Sequence, residues 1–215
     1  SSANAKYITT GPDGNLWFTM SDNTIGKMTT SGVTTFYSVP YAWAVPGSEQ
    51  NDPGRKIIVG PDGNLWFADG YFVGKITTTG TVTQYPIYYN VTSVANGPDG
   101  NIWFVTSGQY TGKITTSGTV TAGNVVGMQS SDITTGPDGN MWVTEVIKHQ
   151  IFRVTPDGHA TAFRVPSDKV GVLQGITAGP DGNLWFTSRE ENAIRRISPS
   201  GEFNGVFCIP SQPTT

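Results

Sequence analysis

An eight-residue segment, Gly-Pro-Asp-Gly-Asn-Leu-Trp-Phe, starts at residue 11 and returns almost unchanged four more times. The five copies occupy residues 11–18, 60–67, 97–104, 136–143 and 179–186. Recurrence at a spacing of about 40–45 residues is the mark of a repeat architecture, built either from propeller blades or from paired helices. The chain is therefore expected to fold as five copies of one supersecondary unit.

Each copy is followed by a second recurring stretch, which in the first unit reads Ile-Gly-Lys-Met-Thr-Thr-Ser-Gly at residues 25–32. Both stretches are rich in Val, Ile, Thr and aromatic residues and end in Asp-Gly or Ser-Gly pairs. Neither contains an apolar pattern of helical period long enough for a helix. The pattern predicts an all-β fold, a β-propeller of five four-stranded antiparallel blades.

The first unit shows the expected strands, which are Lys6–Thr10, Asn15–Met20, Thr24–Thr29 and Val33–Val39. Pro-Asp-Gly-Asn supplies the turn between the first two strands, because Pro presets φ, Asp bonds its own backbone and Gly accepts positive φ. Thr-Ser-Gly does the same between the last two. Both turns lie at one end of the sheet, so the variable connections lie at the opposite end, where function is expected.

Five such units account for the whole chain of 215 residues, which predicts a single propeller domain. We number them repeats 1 to 5, with approximate bounds 5–46, 47–90, 91–127, 128–170 and 171–210. Ring closure should then depend on repeat 1 packing against repeat 5, which makes that seam the weakest interface. A monomer is expected, or an oligomer if the ring is incomplete.

Two residue types recur once in every repeat, and both have a structural explanation. The aspartates belong to the turn, and because they would lie apart around the rim, they predict no metal site. The tryptophans are expected to pack between neighbouring blades. These residues are Asp13, Asp62, Asp99, Asp138 and Asp181, and Trp17, Trp66, Trp103, Trp142 and Trp185.

Composition limits the partners of the chain. Charged residues make up only 13% of the sequence, and the net charge of −3 comes without a basic stripe, so no nucleic-acid partner is expected. No segment predicts a membrane span. The chain begins without Met or a hydrophobic leader and is rich in Thr, which favours a secreted or cell-surface protein. Its single cysteine, Cys208, excludes an internal disulfide.

The Gly-Pro-Asp-Gly-Asn-Leu-Trp-Phe-Thr segment, followed by Ile-Gly-Lys-Ile-Thr-x-x-Gly, resembles the repeat of the virginiamycin B lyase (streptogramin lyase) family of β-propellers. The resemblance extends over all five repeats. It implies a seven-bladed ring that opens a cyclic depsipeptide antibiotic by Mg²⁺-assisted elimination. This chain departs from that pattern, because it has only five repeats.

The first strand of each repeat is expected to be the inner strand of its blade. The resemblance also implies catalytic histidines just before the inner strands. It further implies one glutamate two residues before such a histidine and another just after a strand that contains Trp-Phe. Neither histidine nor glutamate occupies these positions here. Both matter for the family reaction, because proton abstraction needs a positioned base and Mg²⁺ needs oxygen ligands. The histidine positions hold Lys6, Arg55, Thr92, Ser131 and Gln174, and the glutamate positions after the Trp-Phe strands hold Ser21, Gly70, Ser107, Val146 and Arg189. The family reaction is therefore not the favoured prediction.

The alternative of a lyase-like or hydrolytic enzyme depends on the variable face. Glu145 and His149 share one loop there and could act as acid and base, whereas His159 follows a turn at the opposite end. A Mg²⁺ ion, expected only in this alternative, would be held by loop carboxylates such as Asp69, Glu190 or Glu191.

Two groups of residues predict a binding site instead. The first lines the expected central funnel with polar, net-positive side chains that suit an oxyanion, and consists of Lys6, Arg55, Thr92, Ser131 and Gln174. The second offers aromatic faces beside amides and acids, as sugar-binding sites do, and consists of Tyr41, Trp43, Tyr88 and Tyr89.

The favoured prediction is a secreted, non-catalytic propeller that binds a glycan, a peptide or a small anionic ligand. A streptogramin lyase-like enzyme and an assembly or structural propeller fragment remain as alternatives.

Overall fold

A computed structural model of the chain describes residues 3–40, 56–127, 129–166 and 171–210, and the described residues form β-strands joined by turns. No helix in these segments is long and apolar enough to cross a membrane. The strands are β1 Ala5–Thr10, β2 Leu16–Met20, β3 Thr24–Met28, β4 Thr34–Ser38, β5 Ile57–Val59, β6 Leu65–Ile76, β7 Val82–Asn96, β8 Ile102–Thr106, β9 Tyr110–Ile114, β10 Val120–Val125, β11 Ser130–Thr135, β12 Met141–Glu145, β13 Gln150–Val154, β14 Ala160–Arg164, β15 Leu173–Ala178, β16 Leu184–Ser188, β17 Ala193–Ile197 and β18 Phe203–Cys208.

These strands form four antiparallel sheets, in a meander. Three sheets have four strands each, in the orders β1-β2-β3-β4, β11-β12-β13-β14 and β15-β16-β17-β18. The fourth has six strands, in the order β5-β6-β7-β8-β9-β10. The prediction of an all-β propeller is confirmed, whereas the prediction of five separate blades is wrong, since the chain forms four sheets.

Repeats 2 and 3 share the six-stranded sheet because β6 and β7 run without interruption where the other repeats turn. β6 passes through Gly70, whose φ of 55° lets the chain bend while Gly70 still pairs with Val91. Val91 in turn pairs with Thr106 of β8, so a single residue of β7 joins the two halves of the sheet. Tyr88 and Tyr89 of the predicted aromatic group therefore lie within a strand.

The turn chemistry predicted from Pro-Asp-Gly-Asn is confirmed in repeat 1. Gly14 has a φ of 75°, in the region that favours glycine. The N–H of Asn15 donates to Oδ1 of Asp13 at 3.2 Å, and the N–H of Gly11 donates to the carbonyl of Asn15 at 2.7 Å. The same bonds recur in the other four repeats.

The hydrophobic core consists of four clusters, and each cluster joins two successive repeats. In the first, Trp17 of repeat 1 packs with Ile57, Leu65 and Phe67 of repeat 2. Trp66, Trp103 and Trp142 occupy equivalent places in the other three clusters. The prediction that the tryptophans pack between neighbouring repeats is therefore confirmed for these four, while Trp185 of repeat 5 is only half-buried.

The outer faces of the first and last repeats differ from the internal faces. Ile8 of repeat 1 is 65% exposed, whereas Ile133, at the same position of repeat 4, is fully buried. Ile209 of repeat 5 is 44% exposed, whereas its equivalent Val165 is 2% exposed. Within the described segments, none of the four clusters joins repeat 1 to repeat 5. The expected packing of repeat 1 against repeat 5 is thus not observed.

Candidate functional site

Inner strands of four repeats meet at one carboxylate. Asp132 of β11 accepts hydrogen bonds at Oδ1 from Nζ of Lys56, at 2.9 Å, and from Oγ of Ser93, at 2.7 Å. Its Oδ2 accepts a bond from the N–H of Ile176 on β15, at 3.1 Å. Lys56 immediately precedes β5 and Ser93 lies on β7, so this central polar cluster joins repeats 2, 3, 4 and 5.

The central polar cluster is half-buried and electrostatically paired. The side chains of Lys56 and Asp132 retain 26% and 19% of their exposure. The Lys56 ammonium also donates to the carbonyl of Ile133 at 2.9 Å. Among the described residues it therefore spends two of its three protons on the protein, and it can present the third to a ligand. The Asp132 carboxylate accepts bonds from Lys56, Ser93 and the N–H groups of Ile133 and Ile176, so it holds these inner strands together.

The residues predicted to line the funnel are not the ones that form this cluster. Thr92 donates to the carbonyls of Val105 and Ser130, Ser131 is half-buried, and Lys6 and Gln174 are exposed. Arg55 lies outside the described residues, as do Tyr41 and Trp43 of the predicted aromatic group.

The difference is one position along each inner strand. The predicted residues stand immediately before Tyr7, Lys56, Ser93, Asp132 and Gly175. The inner strands have register irregularities at these residues, between Val91 and Ser93 and between Ser130 and Ile133, so the alternation of side chains between the two faces is interrupted there and cannot be counted from the sequence. The predicted group therefore contains Arg55 but neither its neighbour Lys56 nor Ser93 and Asp132. The usable signal was a Lys and an Asp at the same repeat position, since opposite charges in register can pair.

Glu145 and His149, the candidate acid and base, are directed to different partners. The buried Glu145 carboxylate accepts the N–H groups of Ile147 and Lys148, at 3.1 and 2.7 Å, and so closes its own turn. Nδ1 of His149 lies 3.1 Å from the carbonyl of Gly171 in the next repeat. His149 has a φ of 55°, which fixes it as a turn residue. These contacts explain both side chains structurally.

The carboxylates suggested for Mg²⁺ do not fit a metal site. Asp69 accepts a bond from Gln84, and Glu190 accepts one from the N–H of Val172. Glu191 forms a two-bond ion pair with Arg195. Across the described part of the chain, no group of three or more His, Cys, Asp or Glu residues could hold a metal ion. The donor set that Mg²⁺ prefers is therefore not assembled from these residues.

The aromatic residues of the predicted glycan site that can be placed lie on β7. Tyr88 is 97% exposed, and the ring of Tyr89 lies 4.4 Å from that of Tyr110. Hydrogen bonding to Tyr110 raises the pKa of Tyr89 above its ordinary value. The pair forms an exposed aromatic surface on the six-stranded sheet.

The recurring aspartates are engaged in each repeat with the tryptophan four residues later. In repeat 3, Oδ1 of Asp99 accepts the Trp103 indole N–H at 2.9 Å, and Oδ2 pairs with Lys113 at 2.8 Å. Burial acts to raise the pKa of Asp99, but hydrogen bonds from Lys113, Trp103 and Asn101 outweigh it and lower this pKa to about 2. The aspartates thus hold turn and tryptophan together, which confirms the turn interpretation.

A sequence profile of the virginiamycin B lyase family matches residues 1–87 and 48–214 of this chain. A comparison with curated protein sequences found no match. Among solved structures, selenomethionine-substituted virginiamycin B lyase from Staphylococcus aureus is similar to this chain at 30% identity. The match covers 97% of this chain and 71% of that protein, with a TM-score of 0.85.

A catalytically inactive histidine-to-alanine variant of virginiamycin B lyase from Staphylococcus aureus, crystallised with quinupristin, is 28% identical. That match covers 99% of this chain and 72% of the other, with a TM-score of 0.86. The extracellular domain of a putative one component system from B. thetaiotaomicron is 18% identical over 98% of this chain and 32% of its own, with a TM-score of 0.75, and shares the fold. The profile match extends over nearly the whole chain, and together with the 30% identical lyase it confirms the resemblance seen in the repeats. The chain belongs to the virginiamycin B lyase family.

Proposed function

We propose that this chain is a secreted or cell-surface binding propeller that does not carry out the elimination reaction of its lyase relatives. The observation that supports this most is the placement of its two histidines. Nδ1 of His149 lies against the carbonyl of Gly171, and His159 lies on an exposed turn beside Asp157. Neither belongs to the central polar cluster of Lys56, Ser93 and Asp132.

Loss of a histidine matters in the relatives. The quinupristin-bound lyase is described as catalytically inactive, and a histidine is the residue replaced in it. In this chain, the positions that correspond to family histidines hold Lys6, Thr92, Ser131 and Gln174 among the described residues. A general base must lie within hydrogen-bond reach of the proton it removes, and the hydroxyl and amide side chains of Thr92, Ser131 and Gln174 are not bases.

The ligand proposed for the central polar cluster is a peptide or small molecule rich in carbonyl or carboxylate oxygens. The third proton of the Lys56 ammonium and the exposed Lys6 both favour such an acceptor. A glycan would instead use the exposed Tyr88 and the Tyr89–Tyr110 pair. The similarity to an extracellular domain is consistent with a location outside the cell.

Quinupristin is the probe that tests this proposal, because a similar protein was crystallised with this compound. Calorimetric titration of the whole chain is expected to show binding that weakens at least tenfold in Lys56→Gln, about 1.4 kcal/mol. Lys148→Gln, which changes a lysine on the exposed loop, serves as the matched control and should bind as the parent does. Thermal unfolding of both variants verifies that each is folded. If quinupristin and a carboxylate-bearing peptide both fail to bind, the binding assignment is wrong.

The lyase alternative is favoured by family membership itself. Ring opening by elimination leaves the mass unchanged, so it is followed by chromatographic retention and by the appearance of a free carboxylate. The chain is incubated with quinupristin and Mg²⁺, beside an active lyase as the positive control. No product is expected from this chain. Product that disappears in His149→Ala would instead establish an enzyme that uses this histidine.

A further inference from the structure

Two tyrosines from different strands meet at one end of the six-stranded sheet. The ring centroids of Tyr89 and Tyr110 are 4.4 Å apart, and the ring planes are inclined by 32°. Rings at this distance are in van der Waals contact. In the part of the chain that the structure describes, the other ring pairs each contain a tryptophan or a phenylalanine, so this pair alone brings two phenols together.

The path of the chain explains why these two rings meet. β7 and β8 pair as far as Val91 and Thr106, and β8 ends there. Tyr89 lies two residues before Val91, so it stands beyond the end of β8, beside the turn 107–109. Tyr110 follows that turn as the first residue of β9. The two phenols are therefore neighbours, although β8 lies between their strands.

Hydrogen bonds hold the backbone beside each tyrosine. The N–H of Ser107 donates to the carbonyl of Asn90 at 2.7 Å, next to Tyr89. Oγ1 of Thr106 donates to the carbonyl of Tyr110 at 3.0 Å. The two phenol groups are also hydrogen-bonded to each other, which raises the pKa of Tyr89 above its ordinary value. The contact is thus fixed from both strands.

The pair is open to solvent. Tyr89 is 43% exposed and Tyr110 is half-buried. The tryptophans of the same two repeats are not accessible, since Trp66 is fully buried and Trp103 is 2% exposed. An oxidant in solution therefore reaches the phenols of this pair before it reaches those indoles.

We propose that Tyr89 and Tyr110 form a modification site at which hydrogen peroxide, acting through a haem peroxidase, joins the two rings as dityrosine. The peroxidase removes one electron and one proton from each phenol and leaves two phenoxyl radicals side by side. The radicals couple through the ring carbons next to the phenol oxygens, and each of these carbons then passes its hydrogen to its own oxygen. The chain loses two hydrogen atoms in all, and these reduce one molecule of peroxide to two molecules of water.

This cross-link supplies a covalent tie that the cysteine content of the chain does not allow. The sequence contains one cysteine, which excludes an internal disulfide. A bond between Tyr89 and Tyr110 joins β7 to β9, closes the segment 89–110 into a loop and restricts the unfolded chain as a disulfide does. It involves no residue of the central polar cluster, so its test is independent of the ligand proposed there.

The test treats the whole chain, at low concentration, with a haem peroxidase and hydrogen peroxide. We expect the blue fluorescence of dityrosine and, by mass spectrometry, a monomer that has lost two hydrogen atoms. A protease that cleaves before aspartate separates the two tyrosines at Asp99. The product should therefore appear as residues 69–98 joined to residues 99–131, and Tyr110 is the one tyrosine of the second peptide.

Three variants assign the bond. Tyr89→Phe and Tyr110→Phe each keep the ring but lose the phenol, and each should abolish the joined peptide. Tyr88→Phe is the matched control, because it removes a neighbouring phenol that is 97% exposed and should leave the joined peptide unchanged. The proposal is overturned if the parent gives no joined peptide, if the peptide survives in Tyr89→Phe, or if it is lost in Tyr88→Phe. Covalent dimers without an oxidised monomer would also contradict it, since they would show that the tyrosines couple only between chains.

Discussion

The same isoleucine-to-alanine change at two equivalent positions should have very different effects on stability. Ile133 of repeat 4 is fully buried, and Ile8 of repeat 1 is 65% exposed. Removing three buried carbons from Ile133 costs about 2.4 kcal/mol at about 0.8 kcal/mol for each. The cavity left behind brings the expected loss for Ile133→Ala to about 3–4 kcal/mol.

The loss of stability expected for Ile8→Ala is smaller for two reasons. Only about a third of its surface is covered, so the same three carbons contribute about 0.8 kcal/mol. Solvent already borders the side chain, so no closed cavity forms. Ile8→Ala should therefore lower the free energy of unfolding by less than about 1 kcal/mol.

Urea denaturation followed by tryptophan fluorescence, at low protein concentration, measures both values. The slope of the free energy against urea concentration should not change, so the shift in midpoint reports stability directly. A loss of 2 kcal/mol or more in Ile8→Ala would refute the reasoning, because it would mean that the outer face of repeat 1 is covered in solution. A loss below about 1 kcal/mol in Ile133→Ala would show that the cluster between repeats 3 and 4 is loosely packed.

Other substitutions test other parts of the structure. The pKa of Asp99 is lowered from 3.8 to about 2, so its contribution to stability is complete above pH 3.8 and is lost as the pH falls toward 2. Melting temperatures measured across this range should therefore fall less steeply for Asp99→Asn than for the parent, and identical slopes would contradict the assignment. Asp132→Ala should lower the free energy of unfolding, measured by urea denaturation, by about 2–3 kcal/mol, because it leaves Lys56 half-buried without its counter-charge. A change below about 0.5 kcal/mol would show that the central polar cluster is not formed. A methyl group at Gly112 would lie 2.2 Å from the Phe104 ring, so Gly112→Ala should cost about 1–3 kcal/mol, whereas Gly175→Ala, which meets no atom closer than 4.0 Å, should be tolerated in the same assay.

Repetition made the fold predictable, because five copies of one pattern each specified the same turns and strands. The expected strand Asn15–Met20 is observed as Leu16–Met20, and Thr24–Thr29 as Thr24–Met28. The error in the number of sheets arose at one glycine. Gly70 has a φ of 55° and lies in the segment that forms a turn in repeats 1, 4 and 5, where Asn23, His149 and Asn192 have positive φ, and its pairing with Val91 keeps the ladder continuous. A local turn signal does not show whether the strand on either side stays paired with its neighbour.

The candidate site was harder to predict than the fold, for a physical reason. Fold signals are averaged over five repeats, so a one-residue error in any strand boundary changes little. A site depends on which face each side chain points to, and the register irregularities of β7 and β11 interrupt the alternation from which that face would be counted. The predicted Thr92 donates to backbone carbonyls, whereas its neighbour Ser93 donates to the carboxylate of Asp132. The most informative positions of such a chain are those where one repeat departs from the others. In the central polar cluster, a Lys of repeat 2 pairs with an Asp at the same position of repeat 4.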